Sequence, residues 1–182
     1  MEIKPLIDKK IGKLLNFVIE MPQQSFVYKK NKIKKWRTKD LKIPNLHLDL
    51  ASHLLSLIIY FFNEYPKEVM SFGSNQINSK ILDNNFTWFK FKNFIGSFWF
   101  SKDATGEKNA ISIRIFGSRG SLKWKHSDPE NITVSKNNGN IEIINRLSTG
   151  TKYMNKQENY TYSAGHPNGF LDAFINIYNK IY

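Results

Sequence analysis

The chain has 182 residues, 41% of them hydrophobic, with 27 Lys and Arg against 15 Asp and Glu for a net charge of +12, and no cysteine. That length fits a single domain, residues 1–182, able to bury about 70% of the surface its unfolded chain exposes, and its apolar content excludes a disordered chain. Without cysteine there is no disulfide, thiolate metal site or cysteine nucleophile, and a reducing, cytoplasmic location is the expectation.

Residues 2–9 read as a short helix closed by Gly12, and 14–21 as a buried strand. Pro22 then opens a polar segment that contains a basic loop, 29–45. Within it, residues 29–42 hold eight Lys or Arg against one Asp. Such a stripe can meet phosphates, and a polyanion binder is one alternative. However, only four of the chain's 27 basic residues are arginine, the usual reader of guanine, so nucleic acid is not the expected partner. A second helix is predicted over 48–64, with Leu50, Ala51, Leu54, Leu55, Leu57, Ile58, Phe61 and Phe62 spread over more than half of its surface. The longest apolar run, 54–62, falls short of the roughly 20 residues of a bilayer span, so no membrane is expected.

Beyond residue 67 the period changes to two. Runs at 69–72, 86–91, 95–100, 110–116, 122–125, 132–135 and 141–145 are β-branched or aromatic and separated by turn residues. Ile111, Ile113 and Ile115 share one face of their strand. Short connections without helices predict antiparallel neighbours. A final helix is expected after Pro167, with Phe170, Ala173, Phe174, Ile177 and Ile181 as its stripe. The fold class is α+β: a large, predominantly antiparallel sheet with helices on one face. Aromatics on both sides of 86–91 predict that the open face is also covered, by a second subunit or another domain.

Several residues invite chemistry. Asp49 and His53 stand four apart on the second helix, about 6 Å from one another, and a carboxylate beside an imidazole can make a general base. The same two continue into Ser56 and Tyr60 as a polar stripe, the pattern of a solvent-facing edge. His47 adds a third possible ligand, but it falls at or before the helix start and need not point with the pair, so no metal is expected. His166 lies between Gly165 and Pro167, either a close approach to a ligand at a helix N-terminus or only a turn. Trp36-Arg37 is a surface aromatic in a basic loop or an anchor for an anionic substrate. Gly117 to Gly120 lacks the spacing and following helix of a phosphate loop and reads as a hairpin turn.

Together these pieces resemble the C-terminal domain of the glucose–fructose oxidoreductase/inositol dehydrogenase/MocA family. The resemblance runs through LIDKKIGKLLNFVIEMPQ (6–23), Trp36-Arg37, DLASH (49–53), IRIFGSRGSLKW (113–124) and GHPNGFLDAFINIY (165–178). It implies a dihydrodipicolinate-reductase-like sheet whose open face makes a homodimer or higher oligomer, and a sugar or cyclitol as small-molecule substrate. It also implies that His53 relays a proton from the substrate hydroxyl, that Asp49 assists, and that Trp36, Arg37 and His166 lie with the substrate. The family uses NAD or NADP, yet no Gly-x-Gly-x-x-Gly occurs here. The coenzyme is therefore expected on a separate or missing Rossmann domain and not on this chain, which alone should not transfer hydride. Two further departures stand out. The family's Glu-Lys-Pro is absent, since Glu107-Lys108 runs into Asn109, and Ala51 replaces the motif glycine behind the approach 43–46. A non-enzymatic scaffold or sugar-binding domain is the alternative these departures favour.

Overall fold

The computed structural model describes residues 6–27, 39–77, 80–108 and 111–145, together with Ile175, Ile177 and Tyr178. Leu6 leads into a π-helical turn, Ile7–Ile11, which buries Ile7 and Ile11 and ends at Gly12 with φ 76°. A residue with a Cβ is strained at that angle, which explains why glycine closes the turn. The turn reaches two residues past the predicted end at residue 9. Strand β1 (Leu14–Pro22) follows. A second π-helical turn, His47–Ala51, runs directly into helix α1 (Ser52–Phe62), which stops at Asn63 in the left-handed conformation. Seven more strands complete the described chain: β2 (Glu68–Ser74), β3 (Asn84–Lys90), β4 (Ile95–Ser101), β5 (Ser112–Gly117), β6 (Gly120–Lys125), β7 (Asp128–Lys136) and β8 (Ile141–Asn145).

All eight strands form one sheet in the order β2-β3-β4-β1-β5-β6-β7-β8. Every neighbouring pair is antiparallel except β1 and β4, which run parallel, with Phe17 opposite Gly96 and Ile19 opposite Phe98. The alternation sorts the side chains as the period of two predicts. Phe17, Ile19, Phe89, Phe98, Phe100, Ile113, Ile115, Leu122, Ile132, Val134 and Ile144 are buried, in one cluster with Leu50, Leu54, Ile58 and Phe61 from the helical segment. The predicted apolar surface of this helix is too broad. Leu55 is exposed, because a helix lying on a sheet buries a single stripe.

The opposite face is open over much of its width. Met70, Phe72, Phe86, Trp88 and Ile95 are exposed at one end, and Ile141 and Ile143 at the other. Phe86 stacks on Trp99 at 5.7 Å with the rings 5° from parallel, and Phe72 meets Trp88 edge-on at 5.9 Å. No helix of the described residues is long and apolar enough to cross a membrane. The predicted C-terminal stripe lies outside the described residues except at Ile177, which is helical and exposed.

One contact locks the central strands. A Cβ on Gly96 would fall 2.1 Å from the Phe17 ring, which itself packs among Phe62, Phe91, Phe94 and Phe98. Gly96→Ala should therefore destabilise by about 2 kcal/mol through overpacking, read as a shift of the urea midpoint. In a Phe17→Ala background, where the ring is gone, the same change should cost much less. Equal losses in both backgrounds would contradict the contact.

Candidate functional site

The helical segment that carries Asp49 and His53 starts from a pinned loop. Asp40 accepts the Asn45 N–H on Oδ1 at 2.8 Å and the Leu82 N–H on Oδ2 at 2.7 Å, tying the approach 39–46 to the loop before β3. The Asn45 side chain, buried, donates to the Lys39 carbonyl at 2.7 Å. From there the backbone opens into the wider turn. The Ser52 N–H reaches back five residues to the His47 carbonyl, and the Ser52 hydroxyl donates to the Leu48 carbonyl at 2.8 Å. A serine at this point thus satisfies a carbonyl beside the widened turn. Single π-helical turns of this kind recur at functional sites. With more residues per revolution, they also bring positions i and i+4 closer to alignment than an α-helix does.

Asp49 lies in this turn and His53 in the next. His53, Ser56 and Tyr60 are exposed, as a solvent-facing stripe requires. Asp49 departs from that pattern. Its carboxylate is ion-paired with the ammonium of Lys102, whose side chain is 1% exposed against 21% for Asp49. Lys102 follows the last residue of β4 and is gripped on both sides: its N–H donates to the Asp83 carbonyl at 2.8 Å and its carbonyl accepts the Phe26 N–H at 2.9 Å. The ammonium sits 5.2 Å from the centre of the Phe26 ring. Sequence reasoning passed over Lys102. The only signal was its place at the end of a strongly apolar strand, where the period of two is about to fail.

His47 is the first residue of the second π-helical turn and not part of the approach. Its ring meets Phe100 edge-on at 5.3 Å, and Nδ1 is buried without a hydrogen-bond partner among the described residues. Among those residues no three His, Asp or Glu side chains are grouped to hold a metal ion. Trp36, Arg37 and His166 lie outside the described residues. The Gly117–Gly120 segment is the hairpin turn between β5 and β6. Its donors are engaged by the first helical turn, with the Arg119 N–H on the Ile11 carbonyl at 2.8 Å and the guanidinium on the Asp8 carbonyl at 3.0 Å. Glu107 and Lys108 are exposed in the loop after β4.

Two expectations arise from this geometry. Asp49→Asn removes the carboxylate partner of a buried ammonium and should cost about 3 kcal/mol in denaturant unfolding, while Asp49→Leu with Lys102→Met, which removes both charges, should recover most of that. If the single and double variants were equally unstable, the pair would not be the cause. Burial lowers the pKa of His47 from its ordinary 6.5, against the opposing pull of the Asp40 charge. As pH falls below about 6.5 the unfolded chain takes up a proton that the folded chain resists, so this contribution to stability is complete above that pH and fades below it. Unfolding measured from pH 7.5 downward should show wild type losing ground to His47→Phe below about 6.5. A constant difference between them would rule this out.

Comparison with known proteins places the fold. The sheet and helix superpose on an inositol dehydrogenase homolog from Azotobacter vinelandii with a TM-score of 0.83 at 23% identity, covering 96% of this chain and 47% of that one. An oxidoreductase from Sinorhizobium meliloti gives 0.78 at 21% identity, covering 99% and 48%. Levoglucosan dehydrogenase in its apo form gives 0.79 at 18% identity, covering 97% and 51%. This chain thus spans about half the length of the solved structures it matches. No curated protein sequence matches it. The family model of the GFO/IDH/MocA C-terminal domain matches residues 1–123. With the family model covering residues 1–123 of the 182, the chain belongs to the GFO/IDH/MocA oxidoreductase family, as its C-terminal domain.

Proposed function

We propose that this chain is the substrate-binding half of an NAD(P)-dependent oxidoreductase acting on a sugar or cyclitol, completed by a dinucleotide-binding domain. The observation that carries the reading is the Asp49 carboxylate, held at a π-helical turn by a buried Lys102, one turn before an exposed His53. A fixed carboxylate beside an accessible imidazole is what proton removal from an alcohol needs. In this reading His53 accepts the proton of the substrate hydroxyl, and Asp49 orients the imidazole and stabilises its protonated form. Trp36, Arg37 and His166 hold the remaining hydroxyls. NAD or NADP, when bound, supplies the hydride acceptor. An antiparallel sheet without a glycine fingerprint offers no cradle for a pyrophosphate, so the coenzyme falls to the other domain.

The related solved structures support the substrate class. The Azotobacter vinelandii homolog is described in complex with NADH and myo-inositol, and levoglucosan dehydrogenase with NADH and L-sorbose. The open face, with its exposed Met70, Phe72, Phe86 and Trp88, is assigned in this reading to a second copy of the chain.

The test joins the chain to a dinucleotide-binding domain of the family and follows NAD(P)H formation with a panel of cyclitols and sugars. Turnover with at least one of them is expected, and His53→Ala should lower kcat about 100-fold or more, while coenzyme binding stays as it was. An inactive fusion, or full activity in both His53→Ala and Asp49→Ala, would overturn the assignment.

A further inference from the structure

Among the described residues Lys102 is the one basic side chain that is buried. An ammonium taken out of water is costly, and an apolar side chain of similar length fills such a position at less expense to the fold. Packing alone therefore does not explain a lysine here. What the lysine adds is a cation with no freedom to move. Its backbone is bonded on both sides, to the Asp83 carbonyl and from the Phe26 N–H, and its ammonium is backed by the Phe26 ring. That cation reaches across 53 residues of sequence to the Asp49 carboxylate. The bond joins the end of β4 to the π-helical turn just before His53, the two elements that meet at the candidate site.

We propose that Lys102 is a positioning residue for the reaction. It does not touch the substrate. It clamps Asp49 so that the carboxylate keeps one orientation toward the next helical turn, where His53 removes the hydroxyl proton. Without Lys102 the Asp49 carboxylate would lose the ion pair that ties it to the end of β4, and with it a constraint on its orientation toward the next helical turn. The inference rests on the reading of Asp49 and His53 as the proton-relay pair, and it adds a third side chain that the family motifs in this sequence do not contain.

The test uses the same fusion with Lys102→Met, Asp49→Asn and the double variant, each assayed for kcat per folded molecule, substrate KM and coenzyme Kd. Counting only folded molecules removes the effect of lost stability. Lys102→Met should lower kcat at least about tenfold with coenzyme Kd unchanged. Because Lys102 acts through Asp49, adding Lys102→Met to Asp49→Asn should lower kcat by no more than about twofold further. Where Lys102→Met does not fold, Lys102→Gln, one atom shorter but keeping a donor without the charge, is read in its place against the same tenfold mark. Wild-type kcat in the folded Lys102 variant, or losses that multiply in the double variant, would overturn the role while leaving the proton-relay reading intact. A wild-type fusion without turnover would instead remove the relay reading, and the role of Lys102 with it.

Discussion

The parallel pairing of β1 with β4 is the constraint on which the rest of this molecule depends. Antiparallel neighbours can be joined by a tight turn, but two parallel strands need a long crossover. Here β1 is enclosed between β4 and β5, so the chain must leave the sheet, travel over one face and come back before β4 can be laid down. The segment that makes this journey contains the π-helical turn and α1. Its buried stripe of Leu50, Leu54, Ile58 and Phe61 joins the same apolar cluster as Phe17, Phe98 and Phe100 on the sheet. The candidate residues Asp49 and His53 ride on this crossover. Asp49 meets Lys102 because the helix must begin above the place where β4 ends.

Most of the sheet is legible in the sequence, and the reason is periodic burial. Phe86 and Trp88 on one side and Phe89 on the other are told apart by alternation alone, and the structure sorts them in that way. The parallel pair is not legible, since no local pattern distinguishes a strand that pairs with its sequence neighbour from one that waits for a later partner. The π-helical turns are likewise invisible. His47 and Ser52 show no departure from helical spacing, and the widened turn arises from where the pinned loop at Asp40 delivers the backbone.

The candidate site is legible in part. The spacing of Asp49 and His53 allowed both a working pair and a solvent-facing edge, and the structure divides the two. His53, Ser56 and Tyr60 form an exposed stripe, whereas Asp49 is drawn inward by a cation from another element. That cation could not be read from the sequence, because a lysine in a run such as Ser101-Lys102-Asp103 looks like the start of a surface loop. In the structure the segment at residues 23–27 is bonded to the Ser101 and Lys102 carbonyls, and the Phe26 ring backs the ammonium.

The outermost strand has a consequence of its own. β2 is exposed on both faces, with Val69, Met70 and Phe72 all open to solvent, and among the described residues it has a strand partner on one side only. Natural sheets blunt such rims with charge, proline or a bulge, and the charge on β2 is confined to Glu68 at its start, paired with Lys90. A bare apolar rim is a template for strand addition, the route by which sheets grow into fibres. Any neighbour that caps this strand would guard the protein against aggregation as well as complete its surface.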